Sequence, residues 1–131
     1  TLQIFVLEYS PIAYFKKDKL IYLINSNFKN SLMDKNLNLK NLIEVKNMEN
    51  MNNFKIFFST IKNHDVFFSK IKVIDYIHDG RWDVVLKDGQ LIKLGNYNLN
   101  KQVKYLNFIL NNQREKIIDL RHEGRAIITN E

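Results

Sequence analysis

The 131-residue chain has no cysteine, one proline and four glycines. Without cysteine there is no disulfide framework and no thiolate to serve as nucleophile or soft metal ligand, and the redox compartment stays open. Few glycines also mean few phosphate-cradling or nucleophile-presenting turns, and no P-loop, GxGxxG or GxSxG stretch occurs. Long apolar runs are missing as well. The longest, Leu20 to Ile24, has five residues, far below the ~20 that a membrane-spanning helix needs. There is no initiator methionine and no signal peptide, so the chain is expected to be a piece cut from a longer protein.

What is present suffices for one domain. Hydrophobic residues make up 45% and aromatics 12%, enough for a packed core and too much for wholesale disorder. The net charge of +6 suits anionic partners such as nucleic acid, lipid headgroups or acidic proteins. A plainer reading also fits. The 16 lysines never form a run of three and accompany 18 asparagines and 16 isoleucines, the bias of a genome rich in A and T.

Residues 1–10 (TLQIFVLEYS) read as a strand apolar on both faces, interrupted by Pro11 and resumed over 12–15. Lys17-Asp18-Lys19 makes a hairpin loop into a strand over 20–25. Residues 26–40 read as a long, weakly ordered connection before a short strand near 42–45. Met51, Phe54, Phe58 and Ile61 recur at spacings of three and four, one apolar stripe of a helix. A strand over 71–78 follows, then the pair Asp79-Gly80, whose readiness for positive φ predicts a tight hairpin. Strands over 81–87 and 90–94 flank a second turn at Asp88-Gly89. Trp82, Val84 and Leu86 share one face with Ile92 and Leu94, which places Trp82 in the core. Arg81 and Asp83 point the other way, toward solvent. Asn98 caps a helix over 99–112, and strands over 116–121 and 125–129 surround His122-Glu123-Gly124. The expected fold class is α+β, a largely antiparallel meander sheet with two interspersed helices.

Little of this points to catalysis. His64, His78 and His122 lie far apart and outside any HExxH spacing, so no metal or other cofactor is expected. Asp75, Asp83 and Asp119 each fall on a strand; a hydrolase assembled from them would need a pocket holding two. Tyr76, Tyr97 and Tyr105 have basic neighbours, which keeps a basic single-stranded nucleic-acid-binding domain as the alternative reading, although no RNP-like motif accompanies them. A third route is the sheet itself, whose last strand can offer an unpaired edge to a partner.

Three stretches, in this order, resemble one family. LEYSPIA (7–13) is similar to the E-x-x-P-[IV]-A segment of the bacterial cell-division protein FtsQ, called DivIB in Gram-positive bacteria. RWDVVLKDGQLIKLG (81–95) resembles its R-W-x-L-x-L-x-x-G-x-x-[VI]-x-L meander, and IIDLRHEGRAIIT (117–129) its closing [IV]-D-L-R segment and last strand. One departure is Gly80, where many members carry a further basic residue. The resemblance implies an FtsQ-type β domain over 11–131, with residues 1–10 ending a POTRA domain. It implies a non-enzymatic divisome scaffold on the periplasmic side of the inner membrane at the septum, anchored by a transmembrane helix that this chain lacks. Its partners would be FtsB and FtsL, with FtsB adding a strand at the C-terminal edge, and with neither nucleic acid nor a small-molecule substrate. Carried over by position, the partner-binding residues are Arg81, Arg121, His122, Gly124 and Ala126.

Overall fold

The computed structural model describes residues 10–33, 38–112, 116–122 and 125–129. Its elements in chain order are β1 (Pro11–Lys17), β2 (Leu20–Asn25), β3 (Asn30–Leu32), β4 (Ile43–Lys46), α1 (Met51–Ile61), α2 (Asp65–Lys70), β5 (Ile71–His78), β6 (Arg81–Leu86), β7 (Leu91–Leu94), α3 (Leu99–Asn112), β8 (Ile117–His122) and β9 (Arg125–Thr129). The strands form one sheet in the order β3-β2-β1-β4-β5-β6-β7-β8-β9. Most neighbours are antiparallel, as expected. β4·β5 and β7·β8 are parallel because helical crossovers join them, and β1·β4, joined through β2 and β3, is parallel as well.

The meander over β5, β6 and β7 is contiguous and antiparallel. Its first turn has positive φ at both central residues, Asp79 at 51° and Gly80 at 76°, as the Asp-Gly pair predicts. The second differs from the two-residue turn expected. Leu86 N–H donates to Gln90 O and Gly89 N–H to Leu86 O, both at 2.9 Å, so the loop holds three residues and only Gly89 is left-handed (φ 94°). This is the turn-plus-bulge geometry that three-residue loops favour.

Two further differences concern short elements. A third helix, α2, stands beside the two expected; at six residues it is too short to show a stripe. Residues 26–40 are more ordered than expected where described, with β3 and a 3-10 turn over Leu39–Asn41. Phe28 accounts for part of this, since its ring meets Phe54 and Phe58 edge-on at 6.1 and 5.9 Å. The strand expected over residues 1–10 falls almost wholly outside the described residues.

The core lies between one sheet face and the helices. Asn50 starts α1 by accepting from Asn53 N–H at 2.8 Å, and Phe54, Phe57, Phe58 and Ile61 then point inward. Trp82 is 3% exposed. Its ring stacks on Phe57 at 4.8 Å and meets Tyr76 edge-on at 5.0 Å, so the meander and α1 share one aromatic cluster. α3 begins at the expected Asn98, whose side chain accepts from Lys101 N–H at 3.2 Å. A residue that periodicity does not single out holds its approach. Gln102 is buried, accepts from Gly95 N–H at 2.8 Å, and donates to Gly95 O at 3.0 Å and to Tyr97 O. One amide thus satisfies three backbone groups of the β7–α3 loop.

Two stability tests follow from these contacts. Trp82→Ala is expected to cost roughly 3–5 kcal/mol in urea unfolding, the range for emptying a large aromatic site. A loss below ~1 kcal/mol would mean that the indole is not a core anchor. Gln102→Leu keeps the volume but orphans buried loop groups, each worth about 1–3 kcal/mol. A variant as stable as the parent would show that water replaces the amide.

Candidate functional site

Alternation divides the sheet into unlike faces. Ile74, Tyr76, Trp82, Val84, Ile92, Leu94, Ile118 and Leu120 face the helices and are buried. On the opposite face, cross-strand neighbours Lys46, Asp75, Asp83, Lys93, Asp119 and Ile127 form a single row. The three aspartates singled out from the sequence are therefore brought together. They stand on the sheet face away from the described helices, interrupted by Lys93, and line none of the larger clefts formed by the described residues.

Their environments differ. Asp75 accepts from Asn47 Nδ2 at 2.8 Å. Asp83 sits directly opposite Asp75 and is half-buried instead of freely solvated as expected. Burial raises its pKa; Lys93 opposes the shift and Asp75 adds to it. Asp119 is buried. Burial works against its charge, but hydrogen bonds and attraction from Arg121, with help from Lys93, hold its pKa below the ordinary carboxylate value.

Arg121 Nε and Nη2 donate to the two Asp119 oxygens at 2.9 and 2.7 Å, and Arg121 N–H donates to Oδ1 at 3.0 Å. The bidentate fork of Arg121, expected from the resemblance to serve a partner, is thus directed at this chain's own Asp119. The Arg121 side chain is still 37% exposed. Arg81 Nη2 lies 3.0 Å from His78 Nδ1, at the far end of the β5–β6 hairpin. His122 is exposed at the end of β8, with its carbonyl accepting from Tyr97 OH at 3.3 Å. Tyr97 OH also donates to Leu120 O at 2.7 Å, so the β7–α3 loop is strapped to the end of β8. Gly95 makes room for this ring, since a Cβ there would come 2.9 Å from it and 3.0 Å from Arg121 O. Ala126 is half-buried against the core on β9, and Gly124 lies outside the described residues.

The sheet ends at β3 on one side and β9 on the other. β3 has three residues, all exposed. β9 has five, pairs with β8 alone among the described strands, and carries Ile127 at 43% exposure beside half-buried Ala126 and Ile128. The second edge is the longer and more apolar. The tyrosines give no stacking platform. Tyr76 is in the core with its hydroxyl accepting from Gly80 N–H at 3.1 Å, and Tyr97 is strapped to β8, which leaves only Tyr105 of the three exposed.

The two unlike aspartates give opposite pH dependences. The raised pKa of Asp83 disfavours its charge in the folded state, so its favourable contribution is present in acid and is lost as pH rises through the folded value. Asp83→Asn should therefore be more stable than the parent at pH 7, with the difference vanishing at low pH. The lowered pKa of Asp119 contributes above the unfolded value and is lost as pH falls through the folded one. Asp119→Asn should be the less stable variant at pH 7. Thermal melts from pH 3 to 8 check both, and parallel curves for the two variants would contradict the assignment.

Comparison with known proteins is consistent with this layout. The sequence matches the family described as cell division protein FtsQ/DivIB, C-terminal, over residues 16–121. No curated protein matches the sequence. The fold is similar to the major extracytoplasmic domain of the trans isomer of the cell-division protein DivIB from Geobacillus stearothermophilus, at a TM-score of 0.56 and 12% identity, covering 83% of this chain and 100% of that one. With the match extending over most of its length, the chain belongs to the FtsQ/DivIB family of bacterial cell-division proteins and carries that family's C-terminal domain.

Proposed function

We propose that the domain is a non-enzymatic scaffold of the division machinery that accepts a strand from an FtsB-type partner along β9, with FtsL-type proteins in the same assembly. One observation carries this reading: among the described residues β9 is an open sheet edge, whose row of backbone groups is flanked by apolar Ala126, Ile127 and Ile128. An unprotected edge of this kind is a template for pairing, and strand addition takes its affinity from main-chain hydrogen bonds. The short, exposed β3 offers less.

Arg81, Arg121, His122, Gly124 and Ala126 would then border the added strand or its flanking segment. Arg121 would share its charge between Asp119 and a partner carboxylate. Neither a cofactor nor a small substrate enters this reading. The similarity to an extracytoplasmic DivIB domain supports a position on the periplasmic side of the inner membrane at the septum, with the anchor supplied by a transmembrane helix outside this chain.

The structure changes the choice of probes. Arg121→Glu would set a second carboxylate beside Asp119 and confuse folding with binding. Arg81→Glu and Gly124→Trp are cleaner. Each is expected to leave the Tm within a few degrees and to weaken binding of a soluble FtsB-type fragment by about tenfold or more, a loss of ~1.4 kcal/mol. Methylating alternate backbone nitrogens of the fragment tests the mode directly. One alternating set should abolish binding and the other should not. If calorimetry shows both sets harmless and both variants at parental affinity, strand addition at β9 is wrong.

A further inference from the structure

At the opposite end of the meander from Arg81 the surface is basic in a different way. Lys72 is the second residue of β5 and Lys87 directly follows β6, whereas His78 and Arg81 close the far end of the same hairpin, roughly 20 Å away along the strands. Lys87 N–H donates to Lys70 O at 2.8 Å, which fixes this end of the hairpin. Lys40 comes from the 3-10 turn before β4, and Lys62 caps the C-terminus of α1, with its N–H bound to Phe58 O at 2.9 Å.

These four lysines border two adjoining clefts, of about 300 and 350 Å³, that share Asn41, Leu42, Ile71 and Lys87. The floor is apolar, made by buried Ile71 with half-buried Ile12, Leu42 and Phe68. Among the described residues no acidic side chain lines either cleft. All four lysines are exposed, and none forms an ion pair among the described residues. Like charges gathered around a half-apolar floor repel one another and leave hydrocarbon wet, and an acidic ligand with an apolar anchor relieves both conditions.

We propose that this cleft is a second docking site, for an acidic peptide segment of a partner protein that seats an apolar side chain between Lys40, Lys62, Lys72 and Lys87. The concave shape and hydrocarbon floor favour a peptide. A flat lipid surface would not use the concavity, and a nucleic-acid or other phosphate chain would leave the floor unfilled. The site is separate from the β9 edge, with β7 and β8 lying between them.

Fluorescence anisotropy of a labelled peptide, glutamates flanking a central Leu-Phe pair, tests this on the whole chain. Saturable binding is expected, weakened at least tenfold when the Leu-Phe pair is replaced by serines. Lys72→Glu with Lys87→Glu should weaken binding at least tenfold. Lys16→Glu with Lys17→Glu changes the net charge equally on the far side of β1 and should cost less than twofold. If the first pair impairs folding, Lys40→Glu with Lys62→Glu on the other wall is held to the same tenfold. Equal loss in cleft and control variants would reduce the effect to net charge and overturn the site. So would absence of saturable binding, or indifference to the Leu-Phe pair. Cosedimentation with phosphatidylglycerol vesicles that depends on these lysines, with no peptide binding, would assign the cleft to lipid and also overturn the proposal.

Discussion

Everything in this domain depends on two crossovers that run the same way. β4 leads through α1 and α2 to its neighbour β5, and β7 leads through α3 to its neighbour β8. These four strands point in one direction, and both crossovers step toward the same side of the sheet. α3 packs against both α1 and α2, so the two crossovers share one hand and their helices lie on one face. The aromatic cluster of Phe57, Trp82 and Tyr76 and the Gln102 clasp are the packing made possible by that one-sidedness. The opposite face carries none of the described helices.

That bare face explains why the sheet tolerates the row of Lys46, Asp75, Asp83, Lys93, Asp119 and Ile127. Charges placed there keep contact with water, yet neighbouring strands shield them enough to move pKa values. Asp83 opposite Asp75 is a like-charge pair, normally unfavourable across strands. Asp119 escapes such a pairing because it stands opposite Lys93, and Arg121 folds back onto it. The stability of β8 and the charge available near β9 are therefore coupled through a single carboxylate.

Much of this was legible in the sequence wherever a rule acts over neighbouring residues. Alternation placed Trp82 in the core, the Asp79-Gly80 pair marked a left-handed turn, and Asn98 marked the start of α3. The rules failed where contact partners are distant or elements are short. Phe57 does not stand out beside Met51, Phe54 and Phe58 until Trp82 is known to stack on it. α2 has six residues, and β3 three without an apolar pattern. Gln102 looks like an ordinary polar helix position, because its purpose lies seven residues back at Gly95. Of the site, Arg121 stood out only through the family resemblance, and no spacing rule could reveal that Asp119 fills its fork. The lysine cleft went unseen because its four charges come from four separate segments.

From β4 onward, spatial order follows chain order: each new strand is laid beside the one before it. Such a sheet grows by local steps, with little loop-closure entropy lost at each. Growth of this kind has no built-in terminator. Among the described residues neither a proline nor a crossover closes β9, and its one charge, Arg125, stands at its first position, so the edge retains the chemistry of an unfinished addition. To that edge, an incoming strand is simply the next monomer of the same polymerisation, joined through space where earlier ones were joined through a turn.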